Sequence, residues 1–240
     1  AAEIRFDGSG TVTLLMGTKD HGQGHETIFK QVLSHKLGID AGLIRYIDGD
    51  TDLVVTGGGT YGSRSATIGG SAIHVATEKV IEKGKKIAAH MLEAADGDME
   101  FAQGRFTVAG TDRSVGIMEV ARVAFAPGKL PVGMEPGLYE TGTWEPRVPN
   151  FPNGAHACEL EIDAETGTVD IVRYAVVDDV GVVINPLLLK GQIVGGIAQG
   201  VGQALMEDFN YDADGQVLSG SFMDYCMPRA DDLCAVEVAS

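Results

Sequence analysis

The sequence predicts an α+β fold, because strand-like and helical patterns follow one another without the strict strand–helix–strand repeat that builds a parallel sheet. Two observations support this prediction. The apolar residues change between alternating and helical spacing several times along the 240 residues. Glycine is abundant, at 33 residues, which is roughly twice its average share. The expected architecture is therefore a set of mixed sheets with packed helices, joined by permissive turns.

The first half begins with a β-hairpin and continues through two units of a loop followed by a helix. Its predicted elements are strands at 3–6 and 11–16, a helix at 26–37, a strand at 44–48 and a long helix at 66–95. Gly38 is expected to end the first helix. Gly69, Gly70 and Gly84 are costly inside the long helix, so they predict either close packing or a break there.

The second half is predicted to hold more strands and one further long helix. Its predicted elements are a hairpin at 99–108, a helix at 114–125, irregular chain at 126–152, paired strands at 156–163 and 168–177, a helix at 186–207 and a hairpin at 209–218. Ser114 and Asn185 are the expected N-caps of the two helices. Because most prolines lie in the irregular stretch, we expect two parts, residues 1–150 and residues 151–240.

Composition excludes several classes of partner. The net charge is −16, which argues against binding to nucleic acid or to an anionic membrane surface, since both need clustered Lys and Arg. No apolar run reaches the roughly 18 residues that span a bilayer. Cys158, Cys226 and Cys234 are an odd number without close pairs, so they predict neither a disulfide framework nor a structural zinc site. A reducing, cytoplasmic location is expected.

The first glycine-rich loop, Asp20–Glu26, is a candidate binding loop. Such loops leave backbone N–H groups bare and aim them at a ligand above the following helix. Gly22 and Gly24 flank Gln23, whose carboxamide can donate and accept hydrogen bonds. A tight turn with an exposed Gln is the simpler alternative. His21 and His25 are also potential metal ligands, but the glycines need not place both rings on one face, and no metal ligand is assigned.

The second glycine-rich loop, Gly57–Ser65, predicts an anion site. Ser63 and Ser65 flank Arg64 immediately before the long helix, so hydroxyls and helix N–H groups converge where a phosphate or a pterin edge would bind. The spacing matches neither a Walker A loop nor a dinucleotide-binding fingerprint. A flexible surface loop that ends in a serine cap is the alternative.

The predicted helix that starts at Pro186 carries a row of glutamines. Gln192, Gln199 and Gln203 share one face at helical spacing, and glycines between them leave room for close contact. If this face is buried, its amides need hydrogen-bond partners, which either a ligand edge or a neighbouring backbone would supply. The adjacent carboxylates Asp178 and Asp179 are interpreted as charged turn residues, and no nucleophile motif is present.

Taken together, these stretches resemble one family, the molybdenum-binding large subunit of the xanthine oxidase, aldehyde oxidase and carbon monoxide dehydrogenase group. The matching runs are GTKDHGQGHET (17–27), GDT (49–51), GTYGSRS (59–65), FPNG (151–154), VDDVG (177–181), INP (184–186), GQ (191–192), GGIAQGVGQA (195–204) and GSFMDY (220–225). They occur in the order found in the family and span nearly the whole chain.

The resemblance implies a molybdopterin ligand that carries molybdenum, often as the cytosine dinucleotide. It implies that eight residues contact this cofactor: Gly22, Gln23 and Gly24 in the first loop, Gly62, Ser63, Arg64 and Ser65 in the second, and Gln199 at the pterin end. The implied reaction is hydroxylation of an aldehyde, an N-heterocycle or a similar small substrate with oxygen derived from water, or oxidation of carbon monoxide. Electrons would leave through 2Fe-2S clusters and FAD on partner chains.

The family's general base is a glutamate in a Gly-Glu motif near the C-terminus of the large subunit. Neither Gly24-His25-Glu26 nor Met206-Glu207 matches that motif, so no base is assigned. The second part is expected to stop before the motif, and the isolated chain is expected to be inactive. Two rivals stay open at this point. One is a cofactor-free assembly module of the same fold, and the other is a hydrolytic metalloenzyme that uses His21 and His25.

Overall fold

The protein divides into two compact units, residues 1–150 and residues 151–240. The structure is a computed structural model that describes residues 1–148 and 150–240. Among these residues, no helix is long and apolar enough to cross a membrane. Helices and mixed sheets occur together, so the predicted α+β class is confirmed.

The first unit contains two sheets and three helices. Its elements are β1 (Ala2–Phe6), β2 (Val12–Met16), α1 (His25–Leu37), β3 (Ile44–Asp48), α2 (Ser65–Met91), β4 (Met99–Ala102), β5 (Arg105–Val108), β6 (Ser114–Gly116), α3 (Ile117–Ala124) and β7 (Tyr139–Gly142). One sheet has the strand order β3-β2-β1-β7, in which only the β2–β3 pair is parallel. The other is the antiparallel sheet β4-β5-β6.

Helix α2 lies at the centre of the core of the first unit. Its buried face includes Ile73 and Val80, which pack with Phe29 of α1 and with strand residues such as Leu14. The helix continues through all three of its glycines, so no break occurs. The predicted close packing is found at Gly69 and Gly84 but not at Gly70. A Cβ at Gly84 would lie 2.5 Å from Phe106 Cζ, which shows how closely α2 meets the second sheet. The core therefore depends on glycine at this crossing.

The prediction of a helix that starts at Ser114 is wrong. Ser114–Gly116 form strand β6, which pairs with β5, and Gly116 is the N-cap of α3. The Glu119 carboxylate accepts a hydrogen bond from the Gly116 N–H at 2.9 Å, so the capping signal lies two residues later than expected. Pairing with a neighbouring strand has overridden a local N-cap signal.

The stretch 126–152 is less irregular than predicted, because it contains β7. This strand pairs with β1 and completes the edge of the first sheet. Gly142 lies against helix α2, where a Cβ would collide with the Ala72 carbonyl oxygen and lie 2.5 Å from the Ala76 nitrogen. The strand is thus defined by partners more than 60 residues away in sequence, which explains why the local pattern does not reveal it.

The second unit is a three-stranded sheet with one long helix. Its elements are β8 (Asn153–Ile162), β9 (Val169–Asp179), α4 (Pro186–Leu205) and β10 (Val236–Ala239), with the strand order β10-β9-β8. The Asn185 side chain accepts a hydrogen bond from the Leu188 N–H at 3.1 Å, so the predicted cap is confirmed. The expected hairpin at 209–218 is reduced to a single bridge between Tyr211 and Val217.

Little of the second unit is buried. Among its described residues only Val176, Ile197, Gly202 and Ser219 fall in the buried class. Large apolar side chains such as Ile162 and Leu187 are exposed instead, at 62% and 80%. Exposed apolar side chains in such number are typical of surfaces that contact further protein.

Candidate functional site

The two glycine-rich loops of the first unit are joined through residues 17–19, which lead into the first loop. The Gly59 N–H donates to the Gly17 carbonyl oxygen at 3.2 Å, and the Lys19 N–H donates to Thr60 Oγ1 at 3.1 Å. The backbones approach so closely that a Cβ at Gly17 would lie 2.8 Å from Gly57 Cα. The structure therefore brings together both of the loops that the sequence singles out in the first unit.

The first loop does not leave its N–H groups bare, and the expectation that it would is wrong. The Asp20 carboxylate accepts hydrogen bonds from the N–H groups of Gly22 at 2.8 Å, Gln23 at 3.0 Å and His25 at 3.2 Å. The N–H of His21 is bonded to Gln23 Oε1. Four N–H groups of this loop thus have acceptors within it, and a carboxylate lies where an anion would have to bind.

Gly22 and Gly24 shape the turn of the first loop. Both adopt left-handed conformations, with φ of 101° and 78°, which glycine tolerates at little cost. Gly24 is also the N-cap of α1. The turn folds the Gln23 side chain back on His21, so its carbonyl oxygen is engaged and its NH₂ group is the end that can donate.

The second loop is open. Gly59 and Gly62 are left-handed, with φ of 74° and 64°, and a Cβ at either would meet no described atom within 4 Å. Ser63 is left-handed too, with φ of 51°, which is uncommon outside glycine. The loop ends at the first turn of α2, a helix of 27 residues. Its exposed backbone lies at the N-terminus of this long helix, which is the positive end of the helix dipole.

Arg64 and Ser65 connect this loop to the helix in different ways. The Arg64 guanidinium lies 3.7 Å from the centre of the Tyr61 ring, so a cation is held over the loop. Arg64 is the N-cap of α2, and within the described residues its side chain makes no capping hydrogen bond. Ser65 is buried, and its hydroxyl donates to Thr60 Oγ1 at 3.1 Å. Arg64 thus remains available, whereas the Ser65 hydroxyl fastens the loop.

A polar brace beneath the first loop is the feature that the sequence did not reveal. Asp48, at the end of β3, accepts hydrogen bonds at Oδ2 from the Asp20 N–H at 2.7 Å and from the Tyr46 hydroxyl at 2.9 Å. Burial, together with the adjacent Asp48 charge, raises the pKa of Tyr46 well above its usual value, so the phenol stays a donor. In the sequence, Asp48 is marked only by its position immediately before the GDT run (49–51).

His25 lies in the same region and is almost fully buried, at 3% exposure. Its ring packs on Phe29 with the ring centres 5.2 Å apart, and among the described residues its Nδ1 has no hydrogen-bond partner. Burial lowers the pKa of His25, although the charges of Asp20 and Asp48 oppose this shift. His21 is exposed, and the described residues contain no group of three or more His, Cys, Asp or Glu side chains that could hold a metal ion.

The glutamine row lies on α4 in the second unit. The expectation that this face is buried is wrong, because Gln192, Gln199 and Gln203 are all exposed. A groove of about 500 Å³ runs between α4 and the β8–β9 pair. Gln192 is part of its wall, while Gln199 is not among the described residues that line it. The glutamine row is therefore exposed along α4, with Gln192 at the groove.

One end of that groove is polar. His156 lies between Tyr174, whose hydroxyl is 3.2 Å from Nδ1, and Asp178, whose Oδ1 is 3.4 Å from Nε2. The absence of a side chain at Gly154 makes this possible, since a Cβ there would collide with Asp178 Oδ1. Asp178 therefore belongs to strand β9 and contacts a histidine, which corrects its interpretation as a turn residue.

This chain matches a family of cofactor-binding domains and several known oxidoreductase subunits. The family model described as a molybdopterin cofactor-binding domain matches residues 1–234. The carbon monoxide dehydrogenase large chain of Afipia carboxidovorans is 40% identical over 231 residues, which cover 96% of this chain and 28% of that protein. The nicotine 6-hydroxylase large subunit of Paenarthrobacter nicotinovorans is 38% identical over 232 residues, with the same shares of the two chains.

A solved structure agrees with these relatives. The crystal structure of quinoline 2-oxidoreductase from Pseudomonas putida 86 matches with a TM-score of 0.85 at 38% identity, over 99% of this chain and 30% of that chain. The chain thus spans less than a third of the length of the proteins that it matches. Because the family model covers all but the last six residues, the chain belongs to the family of molybdopterin cofactor-binding domains.

Proposed function

We propose that this chain forms walls of the molybdopterin site in an oxidoreductase large subunit. The observation that carries the proposal is the open second loop at the start of α2, in a chain that matches the cofactor-binding family over nearly its full length. The proposed contacts there are Gly62, Ser63, Arg64 and Ser65. In the first loop they are Gly22, Gln23 and Gly24.

The residues of the second loop fit an anionic, phosphate-bearing ligand. Gly59 and Gly62 leave open space that a Cβ would fill, and the dipole of α2 favours negative charge at this end. Arg64 adds a guanidinium, which suits bidentate hydrogen bonds to phosphate. Ser65 contributes through its backbone at the helix start, since its hydroxyl is bonded to Thr60. These features act locally, so a net charge of −16 does not oppose them.

The first loop supplies a different kind of contact. Three of its N–H groups are engaged by Asp20 and that of His21 by Gln23 Oε1, so the proposed donor is the NH₂ group of Gln23, held between two left-handed glycines. Gln199 is proposed as a contact to the pterin end from the second unit. The proposal is supported by the exposure of this residue and by the nearby Gly196 and Gly200, which lack side chains and let a ligand approach the helix. A bound molybdopterin supplies the redox centre at which a substrate is oxidised, and the chain holds and orients it.

The activity of the whole protein is a further proposal, because this chain corresponds to less than a third of its relatives. The proposed reaction is hydroxylation of an aldehyde, an N-heterocycle or a similar small substrate with water-derived oxygen, or oxidation of carbon monoxide. The names of the relatives, a carbon monoxide dehydrogenase and a nicotine 6-hydroxylase, support this range. We place the general base in another part of the large subunit.

The proposed partners are the remainder of the large subunit and separate subunits that carry 2Fe-2S clusters and FAD. The relatives are described as a large chain and a large subunit, which implies companion chains in those proteins. The exposed apolar residues of the second unit are consistent with contacts to further protein. A cytoplasmic location is proposed, supported by three cysteines that are all free.

The proposal is tested on the assembled complex, with the complete large subunit and its partner chains produced in a host that makes molybdopterin. Molybdenum is measured by mass spectrometry and pterin by the fluorescence of its oxidised form. The parent complex should contain both. Arg64→Ala should weaken pterin retention about tenfold or more, since a charge-assisted hydrogen bond is lost.

Arg105→Ala is the matched control. Arg105 is an exposed arginine of the second sheet that bonds to Ser114, so its loss should leave pterin content at the parent level. A parent complex that holds neither molybdenum nor pterin would contradict the proposal and favour the cofactor-free assembly module. Equal pterin retention in both variants would remove Arg64 from the proposed site.

A further inference from the structure

The first loop is held by one carboxylate rather than by its own turn geometry. Asp20 accepts the N–H groups of Gly22 and Gln23 at Oδ1 and that of His25 at Oδ2. These bonds connect the start of the loop, its tip and the first residue of α1. Burial raises the pKa of Asp20, but the hydrogen bonds from three backbone donors and the nearby His25 together outweigh it, so the pKa is lowered.

Asp20 is itself held in place by residues of strand β3. Its N–H donates to Asp48 Oδ2 at 2.7 Å, and the same oxygen accepts from the Tyr46 hydroxyl at 2.9 Å. Asp48 and Tyr46 belong to β3, a strand of the main sheet of the first unit. A continuous chain of hydrogen bonds therefore runs from a rigid strand to the loop tip, and networks of this kind fix one arrangement more firmly than single bonds do.

This hydrogen-bond network restrains Gln23. Its backbone N–H donates to Asp20, and its side-chain Oε1 accepts a hydrogen bond from the His21 N–H, so both its backbone and its side chain are restrained. The side-chain amide is left with its NH₂ end as the donor. The same carboxylate would repel an anion that approached the loop backbone. The loop therefore presents one oriented hydrogen-bond donor and is unsuited to binding a phosphate.

We propose that Asp20 is a positioning residue, which acts through the Gly22–Gly24 turn to hold the Gln23 amide in one orientation toward the cofactor. This inference rests on the proposed function for the identity of the ligand. The positioning itself is a property of the chain and can be measured without a ligand. Asp48 and Tyr46 are the supports of the same arrangement.

The first experiment measures amide hydrogen exchange in the assembled complex, in peptides that cover residues 17–25 and 57–65. Asp20→Ala should speed exchange in 17–25 by about tenfold, because three N–H groups lose their acceptor, and should leave 57–65 unchanged. Asp20→Asn keeps Oδ1 as the acceptor for Gly22 and Gln23, so it should restore exchange to within about threefold of the parent.

Asp7→Ala is the matched control. Asp7 accepts the N–H groups of Ser9, Gly10 and Thr11 at 2.8–3.2 Å in the turn between β1 and β2, so the variant removes the same number of backbone bonds elsewhere in the unit. It should leave exchange in 17–25 at the parent rate. If Asp20→Ala fails to fold, Tyr46→Phe tests the same support by removing the hydrogen bond to Asp48, with faster exchange in 17–25 expected. Unchanged exchange in 17–25 in a folded Asp20→Ala variant, or in Tyr46→Phe where Asp20→Ala does not fold, would overturn the inference.

The second experiment asks whether Asp20 acts through Gln23. The rate of pterin loss from the complex during dialysis is measured for Asp20→Ala, Gln23→Ala and the double variant, with the Mo(V) electron paramagnetic resonance signal of the dithionite-reduced complex as a second readout. Each single variant should lose pterin several-fold faster with the same altered signal, and the double variant should be no faster than the faster single one.

Effects that multiply in the double variant, or an Asp20→Ala complex that loses pterin at the parent rate, would overturn the role through Gln23. A parent complex without pterin would instead contradict the proposed function. In that case the exchange experiment still decides whether Asp20 fixes the loop, so the two failures are distinguishable.

Discussion

The two glycine-rich loops of the first unit look alike in sequence and behave in opposite ways. Each is followed by a helix, and each has left-handed glycines. The first contains Asp20, which draws the loop N–H groups inward, whereas 57–65 contains no carboxylate and remains open. The difference teaches that glycine makes a binding loop possible, and that the charges within the loop decide which ligand chemistry it can serve.

The largest effect is expected where the two loops touch. In Gly57→Ala the new Cβ would collide with the Gly17 carbonyl oxygen and lie 2.5 Å from Gly17 Cα, and neither backbone can move without disturbing both loops. The variant should lose about 3 kcal/mol or more of unfolding free energy, measured by denaturant titration of the full chain.

Gly58→Ala is the control for this prediction. Its nearest neighbour would be Arg64 Nη2 at 3.3 Å, the end of a flexible side chain, so its loss should be much smaller. Equal losses in the two variants would show that the loops do not depend on the crossing of Gly17 and Gly57, and the two loops would then have to be treated as independent.

A second prediction concerns the packing that the two loop–helix units share. Gly69 of α2 contacts α1, and a Cβ there would lie 2.6 Å from Phe29 Cζ and 3.1 Å from Met16 Cε. Gly69→Ala should lose about 2 kcal/mol of unfolding free energy, since overpacking exceeds the gain in helix propensity. At Gly70 nothing described lies within 4 Å, so Gly70→Ala should gain about 0.5–1 kcal/mol. A loss at both positions would contradict this account.

Local patterns were sufficient to predict the elements whose hydrogen bonds close within a few residues. The helix over 26–37, its end at Gly38 and the cap at Asn185 were all predicted, because their signals are adjacent in sequence. Strands β6 and β7 were missed, since each is defined by pairing with a strand elsewhere in the chain. A local cap signal at Ser114 is weak against such pairing.

The same distinction applies to the candidate site. The glycines and Arg64 could be named from the sequence because their roles depend on the local backbone. The hydrogen bonding that fixes the first loop could not be predicted from the sequence. Asp48 lies 28 residues after Asp20, and only the parallel β2–β3 pairing brings the two residues together. The exposure of the α4 glutamines was likewise hidden, since spacing shows which residues share a face but not what covers it.

A third prediction isolates the brace beneath the first loop. Tyr46→Phe removes only the hydroxyl that donates to Asp48, so it should lose about 1.5 kcal/mol, the value typical of a hydrogen bond to a charged group. The comparison of the two loops predicts that amide exchange increases in 17–25 and not in 57–65. Hydrogen exchange followed by mass spectrometry measures both peptides at once, and an equal increase in the two would show that the brace supports the whole surface.

The smallest effect is a pH dependence that belongs to the first loop alone. Burial lowers the pKa of His25 in the folded state, while the unfolded value stays near 6.5, so the unfolded chain binds more protons below that pH. Unfolding free energy should therefore fall as the pH falls below about 6.5, by at most about 1.2 kcal/mol between pH 7 and pH 5.5, the limit for a histidine that stays neutral in the folded state.

Of the charged groups near His25, Asp20 and Asp48 oppose the shift and His21 adds to it. His25→Phe keeps a ring against Phe29 and removes the titration, so the difference in unfolding free energy between the two pH values should shrink. Phe29→Leu loosens the same ring contact and retains His25, so it should keep the parent difference despite its lower stability. If His25→Phe shows the same pH difference as the parent, the buried histidine is not the group that makes the first loop sensitive to acid.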